Sequence, residues 1–140
     1  MSFEWIRENP PHWDEGKAEI LGAAPQGAFE VPSCDVGDLL PGEWWRVEQD
    51  GDTVGYGWMD LVWGEAEILL AARPASRSCG VGTFILDNLE REAGARGLRY
   101  MFNVVRETHP EADAVTRWLK SRRFVESGDG QLRRLVEQRA

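Results

Sequence analysis

The sequence holds few of the residues that build covalent or metal scaffolds: two cysteines and two histidines in 140 residues. Cys34 and Cys79 are too few for a disulfide framework and lack metal-ligand spacing. With His12 and His109 they form no zinc pattern, so we expect no metal. No run of about 18 apolar residues occurs, so no helix long enough to span a bilayer is expected. The first residues, MSFEWIRENPPHW, lack a basic stretch followed by an apolar one, so a secretory leader is not expected. Repeats and low-complexity tracts are absent. These absences lead to the expectation of a soluble, cytoplasmic protein with one domain over residues 1–140. A chain of this length buries roughly two thirds of its unfolded surface. The composition, 42% hydrophobic and 29% charged, is that of an ordinary globular protein. Lysine is scarce, with fourteen arginines to two lysines, in keeping with a GC-rich bacterial source.

Charge is unevenly placed. Residues 1–70 carry three basic against fifteen acidic side chains, a balance of −12; residues 71–140 carry thirteen against nine, a balance of +4; together they give the net −8. An acidic front and a basic back fit two ligands of opposite sign, or simply an uneven solvated surface. Nucleic acid is not an expected partner, because the front half would repel a phosphate backbone.

Residues 3–7 read as a strand. A short helix follows from Trp13 to Gly22, with acidic residues in its first turn. Residues 25–43 read as a long loop. Trp44 to Gln49 and Thr53 to Val62 read as a hairpin about Asp50-Gly51-Asp52. After Trp63-Gly64, Glu65 to Ala72 (EAEILLAA) has the length and apolarity of a strand buried on both faces. Residues 80–96 form the clearest helix, with Gly82, Ile85, Leu86, Leu89 and Ala93 on one face and Asp87, Glu90, Arg91 and Glu92 on the other; Gly97 ends it. Leu98 to Val105 reads as a strand, Thr108 to Glu111 as a capping box before a further helix, and residues 124–136 as a last hairpin. This order predicts an α/β (α+β) domain with a mixed sheet and helices on its faces.

The segment with the most chemistry is Arg77-Ser78-Cys79-Gly80-Val81-Gly82-Thr83, between a buried strand and an amphipathic helix. Two glycines one residue apart remove Cβ atoms where a ligand must approach the main chain. Free N–H groups and the helix dipole favour an anion there, and Arg77 adds a full positive charge. The pattern fits a phosphate cradle; the alternative is an ordinary glycine-rich helix start. A dinucleotide fingerprint fails at Ile85, and no Gly-Lys-Ser/Thr is present for a P-loop.

Arg77-x-x-Gly80-x-Gly82 resembles motif A of the GCN5-related N-acetyltransferases (GNAT superfamily). The resemblance spans about residues 44–126. It implies a mostly antiparallel sheet of six to seven strands whose strands at 65–72 and 98–105 splay apart. It implies acetyl-CoA as co-substrate, its pyrophosphate held by Arg77, Ser78, Cys79, Gly80, Val81, Gly82 and Thr83. Backbone N–H groups at Leu70, Ala71 and Ala72 would receive the thioester carbonyl. Arg73, Arg77, Arg117, Arg122 and Arg123 are candidates for further phosphate contacts. Glu67, in Ala66-Glu67-Ile68, resembles the general base of the histone-modifying branch but lies one residue nearer the motif, which flips its face unless a bulge restores it. Glu65 and Asp60 are alternatives. The position of the family's acidic tyrosine holds Leu119, so Tyr100, or Tyr56, is a substitute acid.

Six of the seven tryptophans lie in the acidic half. Aromatic faces with carboxylates suit a cationic amine on a small molecule or peptide. Trp44, Trp58 and Trp118 are expected in the core. Trp44 and Trp45 point to opposite faces, so one is expected to be exposed, which permits a homodimer. The first reading is an acyl-CoA-dependent N-acyltransferase acting by direct attack. The alternatives are a non-catalytic acyl-CoA-binding module and, against the charge, an RNA-modifying toxin.

Overall fold

A computed structural model of the chain describes residues 2–22, 35–73, 80–105, 111–128 and 130–136. The elements run β1 (Phe3–Glu8), α1 (Glu15–Gly22), β2 (Glu43–Gln49), β3 (Asp52–Val62), β4 (Glu65–Ala72), α2 (Val81–Ala95), β5 (Tyr100–Val104), α3 (Ala112–Lys120), β6 (Val125–Gly128) and β7 (Gln131–Leu135). They form one seven-stranded sheet in the order β1-β2-β3-β4-β5-β7-β6. All neighbours are antiparallel except β4 and β5. The crossover between those two is α2, as a parallel pair requires.

Local chemistry sets the turns. Asp50-Gly51 and Trp63-Gly64 are two-residue hairpin loops with positive φ at both positions, the geometry that matches strand twist. Gly97, at φ 72°, ends α2, and the Leu98 N–H reaches back to the Ala93 carbonyl. Asp14 caps α1 by accepting from the Lys17 N–H at 2.8 Å. Glu111 is the N-cap of α3; the rest of the expected capping box, residues 108–110, lies outside the described residues.

The sheet is covered on both faces. Val47, Met59, Ala66, Ile68 and Met101 face α2 and α3, where they meet Val81, Ile85, Leu86, Leu89, Ala93 and Leu119. Trp44, Tyr56 and Ala71 face α1, where they meet Trp13, Ile20 and Leu21. This corrects the expectation that one of Trp44 and Trp45 is exposed. Trp44 is buried on the α1 face, and Trp45 stacks on Trp5 at 5.4 Å on the α2 face. Trp58 and Trp118 are only half-buried; Trp63, in a turn, is 97% exposed. Glu90 also departs from its expected solvent face: it is buried against Arg134 of β7.

Gly55 and Gly57 of β3 let α2 approach closely. A Cβ on Gly57 would stand 2.7 Å from Trp5 Cη2 and 3.0 Å from Ile85 Cγ2. Gly57→Ala is therefore expected to destabilise the fold by about 1–3 kcal/mol through overpacking, read as a lower denaturation midpoint.

Candidate active site

The site is built where β4 and β5 part. Their parallel ladder has two register pairs, Ala66 with Met101 and Glu67 with Phe102. Beyond them the strands diverge, while β4 keeps unbroken register with β3 from Val62–Glu65 to Gly55–Ala72. The result is the expected splay.

The edges of β4 follow from two hydrogen bonds. Asn103 Nδ2 donates to the Ile68 carbonyl at 2.8 Å, so Ile68 turns its backbone polar groups toward β5. The Arg73 N–H donates to the Val54 carbonyl at 2.8 Å, so odd-numbered residues turn theirs toward β3. Backbone groups alternate along a strand. Leu70 and Ala72 therefore present their N–H groups to the wedge, and Ala71 presents its own to β3. Of the three residues expected to receive a carbonyl oxygen, two face the gap.

The α2 N-terminus carries the second feature. Gly80 is the N-cap at φ 83°, a left-handed conformation that favours glycine. The Phe84 N–H closes the first helical bond to the Gly80 carbonyl, so the amides ahead of it have no helical partner. The first turn holds no acidic residue. Among the described residues, a Cβ on Gly80 would meet no atom within 4 Å, so no described residue fills this side of the main chain. Arg122, after α3, donates to Thr83 Oγ1 at 2.8 Å and lies 4.0 Å over the Trp118 ring. A cation is thus fixed beside the free amides, the donor set a phosphate group takes. Arg77, Ser78 and Cys79 lie outside the described residues.

The three candidate carboxylates share one face. Asp60 stands opposite Glu67 in the β3–β4 register, and Glu65 lies two residues before Glu67. No bulge interrupts this register; the irregularity in the neighbouring ladder lies at Val47/Glu48. The expectation that β4 is buried on both faces fails here, because α1 covers only its far half and leaves Glu65 and Glu67 half-buried. Glu65 is bound to Arg133 at 2.7 Å. Glu67 has no ion-pair partner among the described residues, and burial, together with the charge of Asp60, raises its pKa above the usual 4.5.

The two tyrosines are not brought to the wedge. Tyr100 opens β5 opposite Leu135, at the end where the ladder is closed. It lines a separate hollow of about 440 Å³ with Arg123, Val125 and Leu135. Tyr56 is buried under α1 with its hydroxyl 3.4 Å from Asp14, and burial, then the Asp14 charge, raises its pKa. Leu119, in the position of the family's tyrosine, is a core residue. Among the described residues no group of three His, Cys, Asp or Glu side chains could hold a metal ion, and no helix is long and apolar enough to cross a membrane.

The sequence comparison decides the family: the model of the acetyltransferase (GNAT) family matches residues 4–119. The chain belongs to the GNAT family. No curated protein matches the sequence significantly. Solved structures share the GNAT fold. The ribosomal-protein-S18-alanine N-acetyltransferase of Escherichia coli superposes with a TM-score of 0.61 at 17% identity, over 99% of this chain and 97% of that one. An N-acetyltransferase of Staphylococcus aureus Mu50 gives 0.59 at 16% identity, over 69% and 68%. A GNAT phosphinothricin acetyltransferase of Sinorhizobium meliloti, solved in complex with acetyl-CoA, gives 0.53 at 20% identity, over 68% and 61%. In this GNAT chain, sequence reasoning missed Asn103. Its signal was the single polar side chain in the apolar run YMFNVV.

Proposed function

We propose that this GNAT protein transfers the acetyl group of acetyl-CoA to a primary amine on a cationic small molecule or peptide. The observation that carries the reading is the wedge itself: two inward N–H groups on β4, the strand that precedes the glycine start of α2.

In this reading Gly80, Val81, Gly82 and Thr83 receive the pyrophosphate, with Arg122 as the added charge and Arg77, Ser78 and Cys79 completing the loop. The Leu70 and Ala72 N–H groups hold the thioester carbonyl oxygen and stabilise the charge that develops on it. Glu67 accepts the proton of the attacking amine. The new N–C bond forms as the C–S bond breaks, and CoA leaves as a thiolate. An ordinary thiol pKa of about 8.5 makes that a fair leaving group without a protein acid. Neither Tyr56 nor Tyr100 has a step here. Asp60 and Glu67 lie in the acidic half, and their charge favours an ammonium-bearing acceptor over an anionic one.

The test is calorimetric titration with acetyl-CoA and with free CoA. Wild type is expected to bind both in the micromolar range. Gly80→Leu keeps the fold at a strain of about 1–2 kcal/mol but fills the open side of the cradle. Its CoA affinity is expected to fall at least about a hundredfold, on the order of 3 kcal/mol. Retained affinity would sink the assignment. Tight binding with no turnover on a broad amine panel would favour a non-catalytic acyl-CoA-binding module.

A further inference from the structure

The parallel register would next pair Ile68 with Asn103. A side chain makes that rung in place of the main chain: the Asn103 amide crosses to the Ile68 carbonyl. The backbones have already parted there, and the amide spans what a ladder bond cannot. Below it lie the two closed pairs, with Ala66 and Met101 fully buried. Above it the wedge opens toward Leu70 and Ala72. Asn103 is therefore the floor of the gap.

We propose that Asn103 limits the depth of the acyl slot and restricts the donor to an acetyl-sized group. The inference rests on the acyl-CoA reading above. The Leu70 N–H and the Ile68 carbonyl lie on the same edge of β4, about 4–5 Å apart along the strand. A methyl in van der Waals contact with the amide, at about 3.5–4.0 Å, takes up that span, and a propyl overfills it. The floor is also polar. A longer tail would have to displace the amide and leave the Ile68 carbonyl without its donor, which an apolar chain cannot replace.

The experiment measures dissociation constants of acetyl-CoA, butyryl-CoA and free CoA for the full chain and two variants. Asn103→Ala removes the floor. Asn103→Asp keeps its size, loses the donor and sets a carboxylate against the Ile68 carbonyl. Wild type is expected to bind butyryl-CoA at least about tenfold more weakly than acetyl-CoA, the discrimination typical of a methylene-sized misfit. Both variants are expected to lose that difference while free CoA affinity stays unchanged. Equal binding of the two thioesters by wild type overturns the inference. So does a uniform loss for all three ligands in both variants, which would leave Asn103 a structural bridge only. Failure of wild type to bind free CoA overturns the acyl-CoA reading itself, and the slot with it.

Discussion

Replacing Lys17 with methionine is expected to destabilise the protein by about 3–5 kcal/mol, the cost of breaking a buried ion pair from one side. The Lys17 ammonium is fully buried and makes three hydrogen bonds: to Glu8 Oε1 at 2.5 Å, the His12 carbonyl at 2.9 Å and Asp14 Oδ2 at 3.0 Å. It also lies 4.9 Å over the Tyr56 ring and 5.4 Å over that of Trp44. Methionine fills the space but leaves the buried Glu8 carboxylate facing an apolar stem. Arg46, 3.7 Å from Glu8, compensates in part and sets the effect toward the lower end. The double variant Lys17→Met/Glu8→Gln should recover part of the loss, because it also removes the stranded charge. Urea denaturation of the three proteins checks this. Asp14 adds a pH dependence: burial raises its pKa, but the Lys17 amide and ammonium outweigh burial and hold it below 3.8. Its contribution is present above its unfolded pKa and is lost as pH falls through the lower folded value.

Glu67→Gln is expected to lower kcat by about 10²–10⁴-fold, the usual contribution of a positioned base. The amine panel supplies the acceptor for the measurement, and the acetyl-CoA dissociation constant should not change. The acid limb of the wild-type rate profile should lie above the usual glutamate pKa, because burial and then Asp60 favour the protonated form. Asp60→Asn removes the second cause and should move that limb to lower pH. The linked stability has the opposite sense to that of Asp14. With its folded pKa raised, Glu67 contributes stability below its unfolded pKa, and that contribution is lost as pH rises through the folded value. Glu67→Gln should therefore leave stability unchanged in acid and raise it slightly at neutral pH. An unchanged kcat would assign proton removal to another group.

The sequence legibly carried the elements. Period-two and period-3.6 patterns, Asp-Gly and Trp-Gly turns and the glycine after α2 are local signals, and each element formed within a few residues of its expected place. The glycine motif also lies in consecutive residues, so the family resemblance was readable from the chain alone.

Which residues meet across the sheet was decided by tertiary structure. Trp44 and Trp45 look alike in sequence; helices on both faces bury both. The one-residue offset of Glu67 left its face open until the β3 register placed it opposite Asp60. Only the fold closes Glu8, His12 and Asp14 around the Lys17 ammonium. Asn103 bridges to Ile68 across 35 residues of chain. The physical reason is range. Helix periodicity, capping and turn geometry depend on neighbours within about four residues and are written in the sequence. Strand register, the partner of a buried charge and the point where two strands part depend on contacts that only the folded sheet creates.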